Sequence, residues 1–580
     1  MAVKITQEYR IVVSKDVDAG TKYAAEELAK YLKAVGSVEL PVVCDCTESA
    51  EKEIVVGCSN RCGTPSGVNL KNDGYVLRTV GDKLFIRGMN DRGNLYGVYG
   101  FLENMLGCRF FTEVVEKIPA MDVIEIPELD ETVMPAFEFR NTTWHEISRK
   151  PFFSYKRGFN SIAGTPVTPM LAHSLCHTMF NYLSPDDYFD EHPEYFSMVE
   201  GRRIREMTQL CLTNPEVLEI VKKNLRKTIL EHPECTIFSV SQMDWYNPCQ
   251  CPECRRVDEE EGNHMGTMIR FVNACADSVA EEFPDVIIET LAYQYTRQAP
   301  KTRPRPNVCV CLCTIECCFT HPMRDDNHIA VPFRHLTTPG VTVQQDLRDW
   351  GKICKRMMIW DYTTNYRFYQ APNMNLHVLQ DNMKFFLENG VTSLFEQGTG
   401  ETISGEFGEL RVYLISKLMW NVDGDVSAWM DEFLENYYGR KAAKPIRTYI
   451  DYLTDYVTRY EVHAGIYENP QDVFPNALIP AMDVFWDAAE AAAEDEDQLN
   501  RIQRSRMQVR FLKLQRKAHV DVDYQQQAEA YIADIKRFGI ARIQEGKPLE
   551  KSFDQIRTGF LPGSTRAFWE PEPAFETKKY

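Results

Sequence analysis

Four acidic residues fall at or near the ends of apolar runs. Asp244 follows "TIFSVSQM", Glu316 follows "VCVCLCTI", Asp361 sits in "MMIWDY" and Glu396 in "TSLFEQ". Carboxylates that meet in pairs can supply the proton donor and the base or nucleophile that cleave a glycosidic bond. Polar and aromatic residues gather at the same points. Asn141 and Trp144 close an earlier run, and His173 and His177 lie in the loop after the next. Gln242 and Trp245 flank Asp244, while Tyr293 and Tyr295 follow "VIIETLA". Trp360, Tyr362 and Asn365 surround Asp361, and Gln397 follows Glu396. Aromatic faces stack on sugar rings, and amides and imidazoles hydrogen-bond hydroxyls. These twelve are the expected substrate contacts.

Acid duty needs a carboxyl kept protonated near neutral pH by apolar burial or a second carboxylate. Trp245 beside Asp244 and "CCF" after Glu316 can each provide the apolar side, so either residue is a candidate general acid. The other of the two, or Glu396, would then be base or nucleophile, with Asp361 and Glu396 the ionised members. Asp361 could equally orient loop amides. The carboxyl separation sets the stereochemical outcome: about 5 to 5.5 Å for retention, about 6.5 to 9.5 Å for inversion. Phosphoryl transfer would want a glycine-rich cradle or a Walker lysine, and the sequence has neither.

Positioning such a set requires strands that end on one rim. From 136 to 425 the pattern alternates strand with helix or loop, with strands expected at "FEFRNTT", "FNSIA", "QLCLT", "TIFSVS", "VIIETLAYQ", "VCVCLCTI", "MMIWDY" and "TSLFEQ". Eight such units over that length predict an α/β fold built on a catalytic (β/α)8 TIM barrel, which carries its site at the C-terminal strand ends. Residues 1–130 read as an N-terminal α/β accessory domain with a helix in "TKYAAEELAKYLKAVG" and a second in "DRGNLYGVYGFLENMLG". Residues 428–580 read as a C-terminal helical domain packed on the barrel.

A chain of 580 residues suits several domains, and 44% hydrophobic residues suffice for large cores. The net charge of −19, without a basic block, disfavours nucleic acid and anionic membrane as partners. No apolar run is long enough to span a bilayer, and the N-terminal residues lack a signal-type apolar region. The 18 cysteines are therefore expected as reduced thiols in a cytoplasmic protein. Cys309, Cys311 and Cys313 alternate on one strand face as small apolar residues. Cys249, Cys251 and Cys254 have ligand-like spacing, but a closed zinc site needs a fourth ligand, for which His264, Cys311 or Cys317 could serve. Buried thiols bracing the loop are the expectation, with no metal and no cofactor in the reaction.

The segments "SQMDWYNPCQCPEC", "TLAYQYTRQAPK", "CTIECCFTHP", "IWDYTTNYRFY" and "LFEQG" resemble signature segments of the bacterial "domain of unknown function 4838" proteins. Part of that group is classed as glycoside hydrolase family 163, endo-β-N-acetylglucosaminidases acting on N-glycans. The stretch "RGNLYGVYGFLENMLGCRFF" resembles the non-catalytic domain that precedes the barrel in β-hexosaminidases and α-glucuronidases. The resemblance implies a glycosidase with a carbohydrate substrate, an accessory domain, a barrel and a helical C-terminal region. Asp244 is followed by Trp245, where β-hexosaminidases have an adjacent Asp-Glu pair. Two alternatives accompany this reading. An exo-acting α-glucuronidase-like enzyme would need cations for a sugar carboxylate, for which Arg140, Arg157 and Arg297 are candidates; a non-catalytic carbohydrate-binding barrel would keep the aromatics and lack the paired acids.

Overall fold

The computed structural model describes residues 2–61, 70–161, 167–325, 341–517 and 522–560. The chain forms two compact units, neither of them one continuous stretch. The first comprises Met1–Pro169, Phe407–Arg447 and Ala488–Ile502, and the second Met170–Glu406, Thr448–Asp487 and Gln503–Tyr580. The sequence reading divides the chain into contiguous domains instead.

The first unit is built on a mixed sheet of β1 (Arg10–Val13), β2 (Val42–Cys44), β3 (Glu53–Val56), β4 (Tyr75–Val80), β5 (Lys83–Gly88) and β6 (Asp130–Val133), in the order β6-β4-β5-β3-β1-β2. Helix α1 (Ala19–Gly36) starts at Asp18, whose carboxylate accepts from Thr21 N, and it buries Ala24, Leu28, Tyr31 and Leu32 as its spacing predicts. Helix α2 (Asp91–Asn104) lies close against the sheet because small residues face it. A Cβ on Gly100 would stand 2.0 Å from the Tyr75 hydroxyl, and one on Gly88 would meet the α2 backbone at 2.1 Å. Buried Asp73 is held down at about 2, since the Arg140 and Arg92 guanidiniums outweigh the burial that pushes it up. The expected first barrel run appears as strand β7 (Phe139–Thr142) in this unit. Cys44 and Cys46 form a disulfide, an exception to the all-thiol expectation.

The second unit carries five parallel strands in chain order: β8 (Ile237–Ser239), β9 (Ile287–Ala292), β10 (Val308–Cys313), β11 (Met357–Tyr362) and β12 (Ser393–Gln397). Their residues are buried almost throughout, as expected of strands covered on both faces. Helices intervene: α3 (Pro215–Glu231) before β8, α4 (Pro252–Glu261) and α5 (His264–Val279) between β8 and β9, α6 (Val343–Ile353) between β10 and β11, and α7 (Leu379–Glu388) between β11 and β12. Asn214, Asn263 and Thr342 each cap a helix start through the side chain. This is the curled parallel arc of a (β/α)8 barrel.

Two expected barrel strands are corrected. "QLCLT" forms no parallel strand; Leu210 makes an isolated antiparallel bridge to Phe196, and the position beside β8 is taken by Ala172, which bridges Ile237. In "FNSIA" the described residues 159–161 are not strand, and 162–163 lie outside the described residues. Both segments are short, and their polar side chains bond remote parts of the chain: Gln209 donates to Met243 O and Trp245 O, and Asn160 to Asp73 and Glu138 O. They lack the long buried run that marks β9 to β12.

The chain beyond 426 is largely helical as far as it is described, and 561–580 lie outside the described residues. Helices α8 (Tyr524–Arg537) and α9 (Leu549–Arg557) belong to the second unit. Tyr531, Ile535 and Phe553 form one core with Phe511 and with Phe368 from the loop after β11. Among the described residues no helix is long and apolar enough to cross a membrane.

Candidate functional site

The C-terminal end of β8 is held by a polar frame. Gln242 donates through Nε2 to Tyr293 O at 3.0 Å and accepts from Thr296 Oγ1 at 2.5 Å. His177 Nδ1 lies 2.8 Å from Gln242 O. Gln209 holds the backbone on both sides of Asp244: its Nε2 donates to Met243 O at 2.8 Å and Trp245 O at 2.7 Å, and its Oε1 accepts from Met243 N at 2.9 Å. Half-buried Asp244 accepts from Gln294 Nε2 at 3.4 Å and from the Tyr293 hydroxyl. Gln294 has φ 53° and His177 φ 54°, left-handed values that a non-glycine residue adopts at a cost. At Gln294 this turns the chain so that Tyr293 and Gln294 both reach Asp244.

Strand β9 therefore ends at Ala292, and the alternation does not continue through the next three residues. Tyr293 and Tyr295, two apart and so on one side of any continuing strand, diverge: Tyr293 turns to Asp244, while the Tyr295 ring packs edge-on to Tyr246 at 5.7 Å and His264 at 5.8 Å.

Around Asp244 lies a set of tyrosines and a second carboxyl. Tyr362 and Tyr467 are close enough to Tyr293 for their hydroxyls to resist ionisation together, with burial the main cause. Tyr467 donates to Glu545 Oε2 at 3.1 Å, and Gln397 Nε2 lies 3.5 Å from Glu545 Oε1. Trp360 Nε1 donates to Gln397 Oε1 at 2.7 Å, which fixes that amide. Glu545 is pushed up to about 7, first by burial and then by the negative charges of Glu401 and Asp244, against the hydrogen bond from Tyr467. A carboxyl at that value can give and recover a proton near neutrality. The backbone of Glu545 is tied to the same place, its N–H donating to Tyr366 O at 3.1 Å. Glu545 comes from the segment between α8 and α9 and was not among the expected site residues; the surrounding "IQEGKP" reads as an ordinary polar turn.

The four expected acids do not meet at this point. Register pairs Asp361 with Glu396 and Tyr362 with Gln397, so Asp361 and Glu396 share one face of the sheet, while Trp360, Tyr362, Phe395 and Gln397 share the other. Asp361 accepts from Thr314 Oγ1 at 2.5 Å and is pushed up to about 6 by burial. Glu316 is ion-paired with Arg297, which also holds Asp346 of α6 at 2.6 Å. The period of two explains the outcome for Asp361 and Glu396: a residue one step from a site-facing aromatic must face away from it.

Within the parallel strands a further buried acid, Glu289, was not anticipated. Glu289, inside β9, aligns with Ser239 and Cys309 and so lies on the face of Cys311, Cys313 and Trp360. Its carboxyl is fully buried and pushed up to about 8 by that burial. The signal in the sequence is a lone glutamate in the otherwise apolar "VIIETLA".

Other expected contacts divide. Trp245 is exposed beside Asp244, and His177 lies 6.2 Å ring to ring from Tyr293. His173 instead packs at a tilt of 30° against His232, ring centroids 4.0 Å apart. Asn365 is buried, donating to Glu468 O and accepting from Phe368 N, a loop-bracing role. Asn141 and Trp144 belong to the first unit; Asn141 accepts from Thr142 N, and Trp144 is fully buried, with no face for a sugar. Among the described residues three groups of side chains lie close enough to share a metal ion: Cys211 with Cys249, Cys251 and Cys254; Cys318 with His321 and His463; and the more exposed His192 with Glu194 and Glu216.

Comparison with known proteins places this geometry in context. The family described as "Domain of unknown function (DUF4838)" matches residues 110–451, and "Glycosyl hydrolase family 67 N-terminus" matches residues 4–101. An α-glucuronidase of Hypocrea jecorina is 33% identical over 99 residues, which is 16% of this chain and 12% of that protein. The chain thus spans a small part of the curated relative it matches. A GH115 4-O-methyl-α-glucuronidase with specificity for decorated arabinogalactans superposes with TM-score 0.58 at 13% identity, over 96% of this chain and 78% of the other, and so shares the fold. A chitobiase of Flavobacterium johnsoniae aligns at TM-score 0.44 and 12% identity, over 96% of each chain.

Proposed function

We propose, for a chain that belongs to the DUF4838 family, that it is a glycoside hydrolase whose working pair is Asp244 and Glu545. The observation that carries the reading is that Glu545, bonded to Tyr467 and Gln397 and pushed up to about 7 by burial, lies within electrostatic reach of Asp244, which Tyr293 and Gln294 bond. Glu545 is the general acid: its proton passes to the leaving oxygen as the glycosidic bond breaks. Asp244, held by Tyr293 and Gln294, acts from the other side of the sugar. It serves as base toward water or toward a neighbouring group of the substrate, or as the stabiliser of the developing positive charge. Trp245, exposed next to Asp244, offers a ring face to the sugar. Glu316, paired with Arg297, and Asp361 with Glu396 act as structural acids in this assignment, which moves the acid role away from Glu316.

The substrate proposed is an N-acetylhexosaminide, as in family 163, rather than a uronide. Support comes from the three arginines that a uronide reading would use. Arg140 donates to Gly158 O, Phe137 O and Asp73. Arg157 donates to Ser416, Glu103 and Phe110 O. Arg297 is committed to Glu316, Asp346 and Val341 O. Each guanidinium is engaged by internal acceptors, whereas an acetamido group needs only the neutral donors and the carboxylate that surround Asp244. The test is a panel of aryl β-N-acetylhexosaminides, aryl α-glucuronides and N-glycans, run with the unmodified chain and with Asp244→Asn. Release from the hexosaminides or N-glycans, reduced about 10²- to 10⁴-fold in the variant, is expected. Turnover of glucuronides alone, or an Asp244→Asn variant as fast as the parent, rejects the assignment.

A further inference from the structure

Cys211, Cys249, Cys251 and Cys254 bring their four sulfurs within 4.8 Å of one another, and all four residues are buried. The Sγ atom of Cys211 lies 3.7 Å from that of Cys251 and 3.9 Å from that of Cys254. A metal bonded to four sulfurs at about 2.3 Å in a tetrahedron separates them by about 3.8 Å. We propose that these four cysteines form a structural zinc site, closed by thiolates on every side.

Buried thiols can also pack merely as small apolar groups, and Cys309, Cys311 and Cys313 of β10 do so, spread along a strand without forming a ligand-like group. The four cysteines differ in the way their backbone is shaped. Cys249, Cys251 and Cys254 turn around a common point because Pro252 begins α4 directly after Cys251. The fourth member comes from 40 residues away, in "QLCLT". His264, considered as the fourth ligand on spacing, is bonded to Asp258 at 2.6 Å instead.

The surroundings suit charged sulfur. Zinc displaces the thiol protons to solvent, so four thiolates around a divalent ion leave the site with two negative charges. Backbone N–H groups and a cation stand ready to offset them. Met198 N donates to Cys249 Sγ at 3.4 Å and Cys254 N to Cys251 Sγ at 3.5 Å, while Arg203 Nη1 lies 3.5 Å from Cys249 Sγ. Such donors orient and stabilise first-layer ligands.

The site also bears on the rim. Gln209, which grips the backbone on both sides of Asp244, is two residues before Cys211. Zinc would fix the 209–213 segment to the start of α4 and so hold the Asp244 loop from behind. That consequence rests on the proposed role of Asp244; the metal site itself does not.

The experiment is elemental analysis of the full-length chain purified without chelator, with X-ray absorption at the zinc edge. About one zinc per chain, with a shell of four sulfurs at about 2.3 Å, is expected. Mercurial titration of the thiols should release that zinc in step with the modification. Cys211→Ser and Cys254→Ser should each lower the zinc content at least tenfold; should either fail to fold, the absorption and release measurements on the unmodified chain decide alone. Zinc below about a tenth per chain, stoichiometric iron in its place, nitrogen or oxygen in the shell, or a disulfide among the four cysteines overturns the proposal. None of these readouts requires a glycosidase substrate, so loss of the glycosidase reading would leave them intact.

Discussion

At the scale of single residues, Glu545 is the carboxyl that its surroundings keep protonated near neutrality. Burial lifts Glu545 and the nearby charges of Glu401 and Asp244 add to it, whereas Tyr467 opposes with a hydrogen bond. A general acid must carry its proton, so activity should fall as pH rises through about 7. Glu545→Gln should remove that falling limb and lower kcat by about 10²-fold or more on substrates with poor leaving groups. Activated aryl substrates, which need little protonation of the leaving oxygen, should suffer less. A pH profile of the variant that keeps the parental falling limb would assign the limb to another group. Glu545 could not be picked out from its neighbours in the sequence, because its value arises from side chains that are remote along the chain. Asp244 was legible, since an acid followed by a tryptophan after an apolar run is a strand-end signal.

At the scale of elements, the relevant devices are the turn after β9 and the clamp on the loop after β8. Gln294 reverses the expected alternation, and Gln209 fixes Asp244 through three backbone hydrogen bonds. Each such bond contributes about 0.5 to 1.5 kcal/mol net. Gln209→Ala should therefore lower kcat by roughly 10- to 100-fold through displacement of Asp244, with KM for a neutral substrate changed less. An unchanged kcat in a folded variant would show that the loop is held by other contacts. The strand period accounts for the acids that were misplaced. Asp361 and Glu396 were expected at the site because they end apolar runs, but side-chain direction depends on register. That register became visible only when Asp361 paired with Glu396 and Tyr362 with Gln397.

At the scale of the molecule, the last helices, α8 and α9, are part of the second unit. Phe511, Tyr531 and Phe553 share a core with Phe368, and the segment between α8 and α9 delivers Glu545. A chain ending at 502 should expose that core and lose both cooperative unfolding and activity, as circular dichroism and turnover would show. A stable, active truncation would remove Glu545 from the mechanism. Glu289 makes a second, global prediction. Its folded value of about 8 lies above the ordinary 4.5, so between those values the folded state holds more protons than the unfolded one. Its contribution to stability is complete below about 4.5 and is lost as pH rises through about 8. Denaturant unfolding at a series of pH values should show this decline. Glu289→Gln, neutral throughout, should flatten it; an unchanged slope would mean that Glu289 is ionised in the folded protein.

The sequence by itself determined the fold class and most of the elements. Strands buried on both faces must read as apolar runs, and β9 to β12 do. Helices with one buried stripe must repeat near 3.6 residues, and α1 does. It also marked Asp244 and three of the four clustered cysteines, because strand ends and ligand spacing are local. Tertiary structure alone decided which acids share a face, which arginines are engaged by internal partners, and that Cys211 and Glu545 arrive from far along the chain. Those outcomes depend on register and on long-range packing, and no local pattern encodes the distance between residues separated by tens to hundreds of positions.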